Sequence, residues 1–459
     1  MNSFIKKNFN ITVLFYILAS TFFFERIPSF ETALGPIRLY NIVNLILIIV
    51  FIRYILQHSP TLNLYKVPPI IYILIAFLGV GAFSIFNVVN PNRFFAAYIG
   101  LIFCCFTTFF LSIAKFDYDK LLKMFSWLFV FQVVFSLYQF VGDKYLNLPP
   151  SLTGIKDLFR SNVFGIPRIH NTYNEPSYYA NALFLGIFLF LFMAFSKFQL
   201  FKSIYIKYFY CLITIALFTI FWLTLAKSAW LILPIPLVLV FIILFTNVQT
   251  VKLKSLFISV IIVVLIGFSY LILNNPKVSE NIYNQFIETV DGTSATSVER
   301  KAHFDAAVSL VPTYGLTGIG PGQFGTYARD AIINNLFPYD GNINNPYYEL
   351  KPDINYRNSI NTEKNIVFNV FLEVLVEYGI VGFLLYIVFI LLIIFQAIKR
   401  MLISNAKFDS KYILNISLLL YVLCSLAQFY FISPVYINPF FVALGLLINI
   451  DNSCRTSKI

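Results

Sequence analysis

A chain of 459 residues that is 59% hydrophobic and only 12% charged is not a soluble domain, where about a quarter of residues carry charge. The formal net charge of +12 does not make it a nucleic-acid binder, because the basic residues are dispersed and mark the ends of apolar runs. Those runs approach the roughly 20 residues needed to cross a bilayer, and mean hydropathy is +0.78, so an all-α polytopic transmembrane bundle is expected rather than a barrel of short alternating strands.

In chain order, spans are predicted near 10–24, 39–56, 68–86, 94–113, 121–141, 177–196, 205–225, 229–247, 254–273, 366–396, 411–430 and 435–450, or about 12 helices. The run at 366–396 is too long for one perpendicular crossing and should tilt or project from the bilayer. The first run follows Lys6 and Lys7 without a small-residue cleavage site, so no cleaved signal peptide is expected. Cys104, Cys105, Cys211 and Cys424 fall in apolar runs and Cys454 in the tail, so no disulfide framework is implied.

With the N-terminus in the cytoplasm, most Lys and Arg outside the two long loops fall inside. The short outer loops hold only Arg26, Arg38, Arg93 and Lys227. Both termini are then cytoplasmic. The organisation expected is residues 1–273 as the first nine helices with a mid-sized outer loop at 142–176, residues 274–365 as a large outer loop, and residues 366–459 as the last three helices and a tail.

The mid-sized loop ends on Arg168-Ile-His170-Asn-Thr-Tyr-Asn174-Glu175-Pro176-Ser177. Polar groups held at a membrane surface cost free energy, so this run is a candidate site. Pro176 suits a first helical position. Glu175 is then either a helix-start carboxylate or a proton acceptor for a hydroxyl. His170 has no second His or Cys at ligand spacing, so a metal site is not expected. Lys227 lies between two spans beside Trp230, as a snorkelling lysine or a functional cation. In the large loop, residues 298–311 have helical periodicity, with Ser297 as a candidate cap. Arg300 lies on its first turn and has the fork that matches phosphate oxygens. Gly318, Gly320 and Gly322 follow, as a tight structural turn or an anion nest; neither a P-loop nor a dinucleotide fingerprint is present. Residues 335–364 read as irregular, and no internal repeat is found.

Four patterns together resemble the O-antigen polymerase and ligase superfamily of bacterial inner membranes: Arg168 with Asn174-Glu175-Pro176-Ser177 and Ala180; Thr224-Leu-Ala-Lys227-Ser228; Arg300 with Pro312 and Gly318-Ile-Gly320-Pro-Gly322-Gln-Phe324; and Asn369 with Glu377-Tyr-Gly379-Ile-Val-Gly382. The chain departs from the family pattern twice. Phe368 stands where family ligases carry a histidine held to be the catalytic base, and Lys227 replaces a usual arginine.

The resemblance implies a GT-C-like bundle with a large, partly helical periplasmic loop, and a glycosyltransferase needing neither cofactor nor metal. Its partners would be membrane lipid and undecaprenyl-diphosphate-linked donor and acceptor glycans, with room for a chain-length-regulating protein and none for nucleic acid. Arg168, Arg300 and Lys227 would hold the diphosphate, and Glu175, or secondly His170, would be the base. Asn174, Ser177, Gly318, Gly320, Gly322 and Asn369 would contact substrate. A polymerase is expected ahead of a ligase, on Phe368. A lipid-linked oligosaccharide flippase and a non-catalytic assembly subunit are the readings from other classes.

Overall fold

The computed structural model describes residues 9–24, 29–32, 35–58, 68–153, 168–173, 176–196, 198, 200, 205–224, 226–247, 295–336, 362, 365–367, 369–403, 409–427 and 438–455. These residues form an all-α polytopic membrane protein. Seven of the described helices are long and apolar enough to cross a membrane, and two shorter apolar helices accompany them.

The helices, in chain order, are α1 (Phe9–Ser20), α2 (Leu39–His58), α3 (Pro69–Phe83), α4 (Pro91–Ile113), α5 (Tyr118–Lys144), α6 (Pro176–Phe195), α7 (Ile206–Leu223), α8 (Lys227–Ile232), α9 (Pro234–Asn247), α10 (Ala295–Tyr314), α11 (Phe324–Tyr327), α12 (Arg329–Leu336), α13 (Val370–Ile403), α14 (Ser410–Ala427) and α15 (Asn438–Arg455). Eleven of the predicted spans fall on them; the twelfth, 254–273, lies outside the described residues. An unpredicted antiparallel hairpin pairs Ser29–Thr32 with Gly35–Arg38. Local chemistry sets several helix starts. Asn90 caps α4 by accepting from the Arg93 amide, with Pro91 in the first turn. Asp117 caps α5 by accepting from the amides of Asp119 and Lys120.

Helix α6 is the centre of the bundle, with 94% of its span buried, and α5, α7 and α14 pack against it. Because every side of α6 meets protein, its sequence from Ala182 to Phe195 is apolar without a polar stripe. One polar pair crosses that interface, Asn181 Nδ2 donating to Ser425 Oγ at 2.8 Å. Helix α15 lies along α4, where Thr108 Oγ1 donates to the Phe441 carbonyl at 3.0 Å.

Three expectations differ from the structure. The long run predicted at 366–396 is not one continuous helix. Its helix is broken at Gly379, which has φ 68° and ψ −179°. The helix in the large loop runs Ala295–Tyr314, so Ser297 lies inside its first turn and is not its N-cap. The span at 229–247 divides into α8 and α9, where Pro234 cannot donate the amide that a continuous helix needs.

Candidate functional site

The candidate residues fall into two groups, each built by segments remote in sequence. The first surrounds residues 168–173. The Ile169 amide donates to the Leu223 carbonyl at 3.2 Å, and Arg168 Nε donates to the Thr224 carbonyl at 3.3 Å. This segment is thus tied to the end of α7, three residues before Lys227, which opens α8. Two of the four sequence patterns therefore meet here. The side chain of Lys227, and all of Asn174 and Glu175, lie outside what is described; Ser177 is half-buried in the first turn of α6.

Beneath Arg168 lies a buried polar knot. Asn171, with φ 51°, sits in the left-handed region that Asn tolerates better than most residues. Its Nδ2 donates to the Gln132 carbonyl at 2.9 Å and to Ser136 Oγ at 2.7 Å, while its amide donates to Gln139 Oε1 at 2.9 Å. Ser136 and the Tyr179 hydroxyl share a hydrogen bond of 2.8 Å, Thr172 Oγ1 donates to the Phe23 carbonyl, and the Tyr173 hydroxyl donates to the Phe22 carbonyl at 2.7 Å. The knot ties the turn before α6 to α5 and to the 3₁₀ turn after α1. His170 belongs to it: the ring is fully buried and Nδ1 lies 2.9 Å from the Tyr173 carbonyl oxygen.

The second group forms around the break in α13. A broken helix leaves carbonyls and an amide without partners inside the chain's own turn. The loop of glycines supplies them. The Ile319 amide donates to the Val376 carbonyl and the Gly320 amide to the Glu377 carbonyl, both at 2.9 Å, while Ile380 N donates to the Gly315 carbonyl at 2.7 Å. Gly318, Gly320 and Gly322 have φ values of 74°, 98° and 72°. A Cβ on Gly318 would collide with the Glu377 carbonyl and one on Gly379 with that of Leu316, so the two backbones touch at these glycines.

Beyond Gly320 the chain turns around a carboxylate. The amides of Gly322, Gln323 and Phe324 face the buried side chain of Glu377, and Phe324 N donates to its Oε1 at 3.3 Å. The glycines thus form a tight turn, and the amides that follow face the chain's own carboxylate. Glu373 is buried one turn earlier on the same face, and the Arg93 guanidinium acts electrostatically on both carboxylates. Arg93 Nε and Glu373 Oε2 are buried without a hydrogen-bond partner among the described residues. The loop before α4 completes the clamp. Gln323 Oε1 accepts from Asn90 N at 2.9 Å, Gln323 Nε2 donates to the Asn90 carbonyl at 2.8 Å, and Asn87 Nδ2 donates to the Gly318 carbonyl at 2.7 Å.

Asn369 is the N-cap of α13: its Oδ1 accepts from the amides of Phe371 and Leu372, both at 3.1 Å. Arg300 is exposed on α10, which packs on α12 and α13. Its neighbours on α10 are titratable. Burial raises the Glu299 carboxyl above its ordinary value, with Arg300 opposing, and burial lowers the His303 imidazole below 6.5. Among the described residues no group of three or more His, Cys, Asp or Glu is placed to hold a metal ion.

Residues 212–387 match the family model for O-antigen ligase. This part of the chain is similar to the O-antigen polymerase and ligase superfamily. No curated protein matches the chain. The O-antigen ligase match runs from α7 into α13. It takes in Lys227, Arg300, Gly318, Gly320, Gly322 and Asn369, and stops short of Arg168, His170, Asn174, Glu175 and Ser177. The superfamily consists of membrane enzymes of the ligase and polymerase type that act on lipid-linked glycans.

Sequence reasoning missed the roles of two sets of residues. Gln132, Ser136 and Gln139 form a polar stripe at helical spacing on an otherwise apolar span, a signal visible in the sequence. Glu373 and Glu377 are carboxylates four apart inside an apolar run, also visible; Glu377 stands in the fourth pattern without a role, and Arg93 only as a topology mark.

Proposed function

We propose that the chain is a polysaccharide repeat-unit polymerase of the bacterial inner membrane, with its site on the periplasmic face and both termini in the cytoplasm. The observation that carries the reading is the tie between residues 168–169 and the end of α7. It brings Arg168 to the segment that opens with Lys227, beside the turn that leads into Glu175. An acceptor sugar hydroxyl attacks the anomeric carbon of a glycan held on undecaprenyl diphosphate. The new C–O bond forms as the anomeric C–O bond to phosphate breaks, and the lipid diphosphate leaves.

Negative charge grows on that leaving group, so fixed cations stabilise the transition state more than the ground state. Arg168, Lys227 and Arg300 supply them. Glu175 takes the hydroxyl proton. It is preferred to His170, whose buried ring is engaged by the Tyr173 carbonyl. Asn174 and Ser177 at the head of α6 contact the sugar. Phe368, in place of the ligase histidine, favours polymerase over ligase, and the O-antigen ligase match supports an enzyme over a flippase.

The test is glycan banding from cells lacking the protein, complemented with wild type or Arg300→Ala at matched membrane levels. Null cells should show single repeat units, wild type should restore a ladder, and Arg300→Ala should lower polymer output by about a hundredfold or more. Loss of all surface glycan with lipid-linked polymer accumulating would establish a ligase instead. Repeat units trapped on the cytoplasmic side would establish a flippase.

A further inference from the structure

We infer that Glu377 is a positioning residue: its carboxylate fixes the glycine turn against the broken helix α13, and through that turn fixes the helix that carries Arg300. The inference rests on the polymerase reading for its catalytic consequence only.

Three observations carry it. First, Glu377 is buried at the end of an apolar span, an expensive place for a carboxylate unless it is given donors and countercharge. Both are present. The amides of Gly322, Gln323 and Phe324 converge on it and the Arg93 guanidinium lies close enough to act on it. Second, the same residue serves twice, because its backbone carbonyl accepts from the Gly320 amide at 2.9 Å. Main chain and side chain of Glu377 thus grip the turn on both sides of Pro321. Third, the turn continues directly into what holds α10. The Gly318 amide donates to the Tyr314 carbonyl at 2.7 Å, at the C-terminal end of α10. Ile319 and Phe324, immediately flanking the grip, belong to the buried cluster that includes Ala306 and Ala307 of α10. Phe324 also faces the His303 ring, at 6.4 Å between centroids, one turn from Arg300. Displacing the turn therefore displaces the surface on which the Arg300 helix rests.

A neutral amide at this position keeps one acceptor oxygen but loses the charge opposite Arg93 and turns an N–H₂ toward backbone amides. The test uses the full chain in lipid nanodiscs, with amide hydrogen exchange of residues 315–325 and steady-state polymer formation from lipid-linked repeat units. In Glu377→Gln, exchange of this segment should rise about tenfold or more while the rest of the bundle keeps its protection. Activity should fall in the same kinetic constant, kcat or KM, that Arg300→Ala changes. The double variant should be no worse than Arg300→Ala alone, since a residue acting only through Arg300 has nothing further to lose. If Glu377→Gln does not fold, Glu377→Asp, which keeps the charge but stops one methylene short of the amides, is measured in the same way.

Unchanged exchange at 315–325 overturns the inference whatever the activity does. So does a raised exchange with full activity, or a double variant whose losses multiply. Should the wild-type chain form no polymer, the functional reading falls, and hydrogen exchange alone then decides whether Glu377 holds the turn.

Discussion

At the scale of single residues, the polar side chains that matter are mostly those that hold other residues. Asn171 satisfies a backbone carbonyl, a serine and a glutamine in a site closed to water. Truncation keeps the backbone amide that serves Gln139 but removes the donor to the Gln132 carbonyl and Ser136 and the acceptor of the Thr172 amide, so Asn171→Ala should cost about 2–3 kcal/mol in detergent unfolding while leaving membrane insertion intact. Asn369 distinguishes two roles. As a cap it is replaceable by another capping residue, so Asn369→Ser should keep near wild-type polymer output. Asn369→Ala should lose about 1 kcal/mol of local stability. A collapse of output in the serine variant at normal protein level would instead make the Asn369 amide a substrate contact. The resemblance picked out this asparagine, but its capping geometry was not legible, because a cap depends on where the helix starts and Phe368 hides that start within an apolar run.

Among the elements, helix α13 and helix α10 respond to different insults. The break in α13 needs a φ of 68° with an extended ψ, a region close to glycine-only. Gly379→Ala adds that strain to a collision with the Leu316 carbonyl, and should cost at least about 2 kcal/mol, read as lower yield and a lower Tm of the purified protein. Gly79, in α3, would meet nothing within 4 Å on gaining a Cβ, so Gly79→Ala at the same membrane level serves as the comparison. Helix α10 is sensitive to pH. His303 has its folded-state pKa pushed below its ordinary 6.5 by burial, so its packing is fully stable above 6.5. That stability is lost as pH falls through the folded value and the buried ring must take a proton. Glu299 acts in the opposite sense, since its raised carboxyl favours the folded helix as it protonates at lower pH. With the intrinsic pH dependence of amide exchange divided out, protection of residues 298–311 should therefore fall as pH drops from 7.5 towards the folded pKa of His303, and His303→Phe should flatten that fall; an unchanged slope would remove His303 from the account.

For the whole molecule, hydropathy was enough to place eleven spans, because lipid imposes a length and an apolarity that no alternative structure meets. It could not show that two of those spans, 229–247 and 366–396, are each two helices. Glycine is common in membrane helices, so Gly379 carries no warning by itself, and the groups that complete the break come from the other end of a long loop. The same holds for the candidate site. Arg168, Lys227 and the glycines were found by their local patterns, whereas the tie of Arg168 to the end of α7 and the placing of Glu377 against the turn are tertiary facts. The turn illustrates the limit best. The sequence leaves the glycines as a tight turn or a nest, and the structure makes them a turn whose amides at Gly322, Gln323 and Phe324 face a carboxylate of the chain itself.

The burial of α6 has a consequence for how the protein is made. Ribosomes deliver Pro176–Phe195 to the membrane before α7, and well before Ser410–Ala427, the helix whose Ser425 accepts from Asn181. Until then one flank of the future centre of the bundle faces lipid or the insertion machinery, and its lone asparagine has no serine to meet. The innermost helix is thus enclosed late in synthesis, by a segment near the end of the chain. Nascent chains stopped before Ser410 should be the form that membrane quality-control proteases remove.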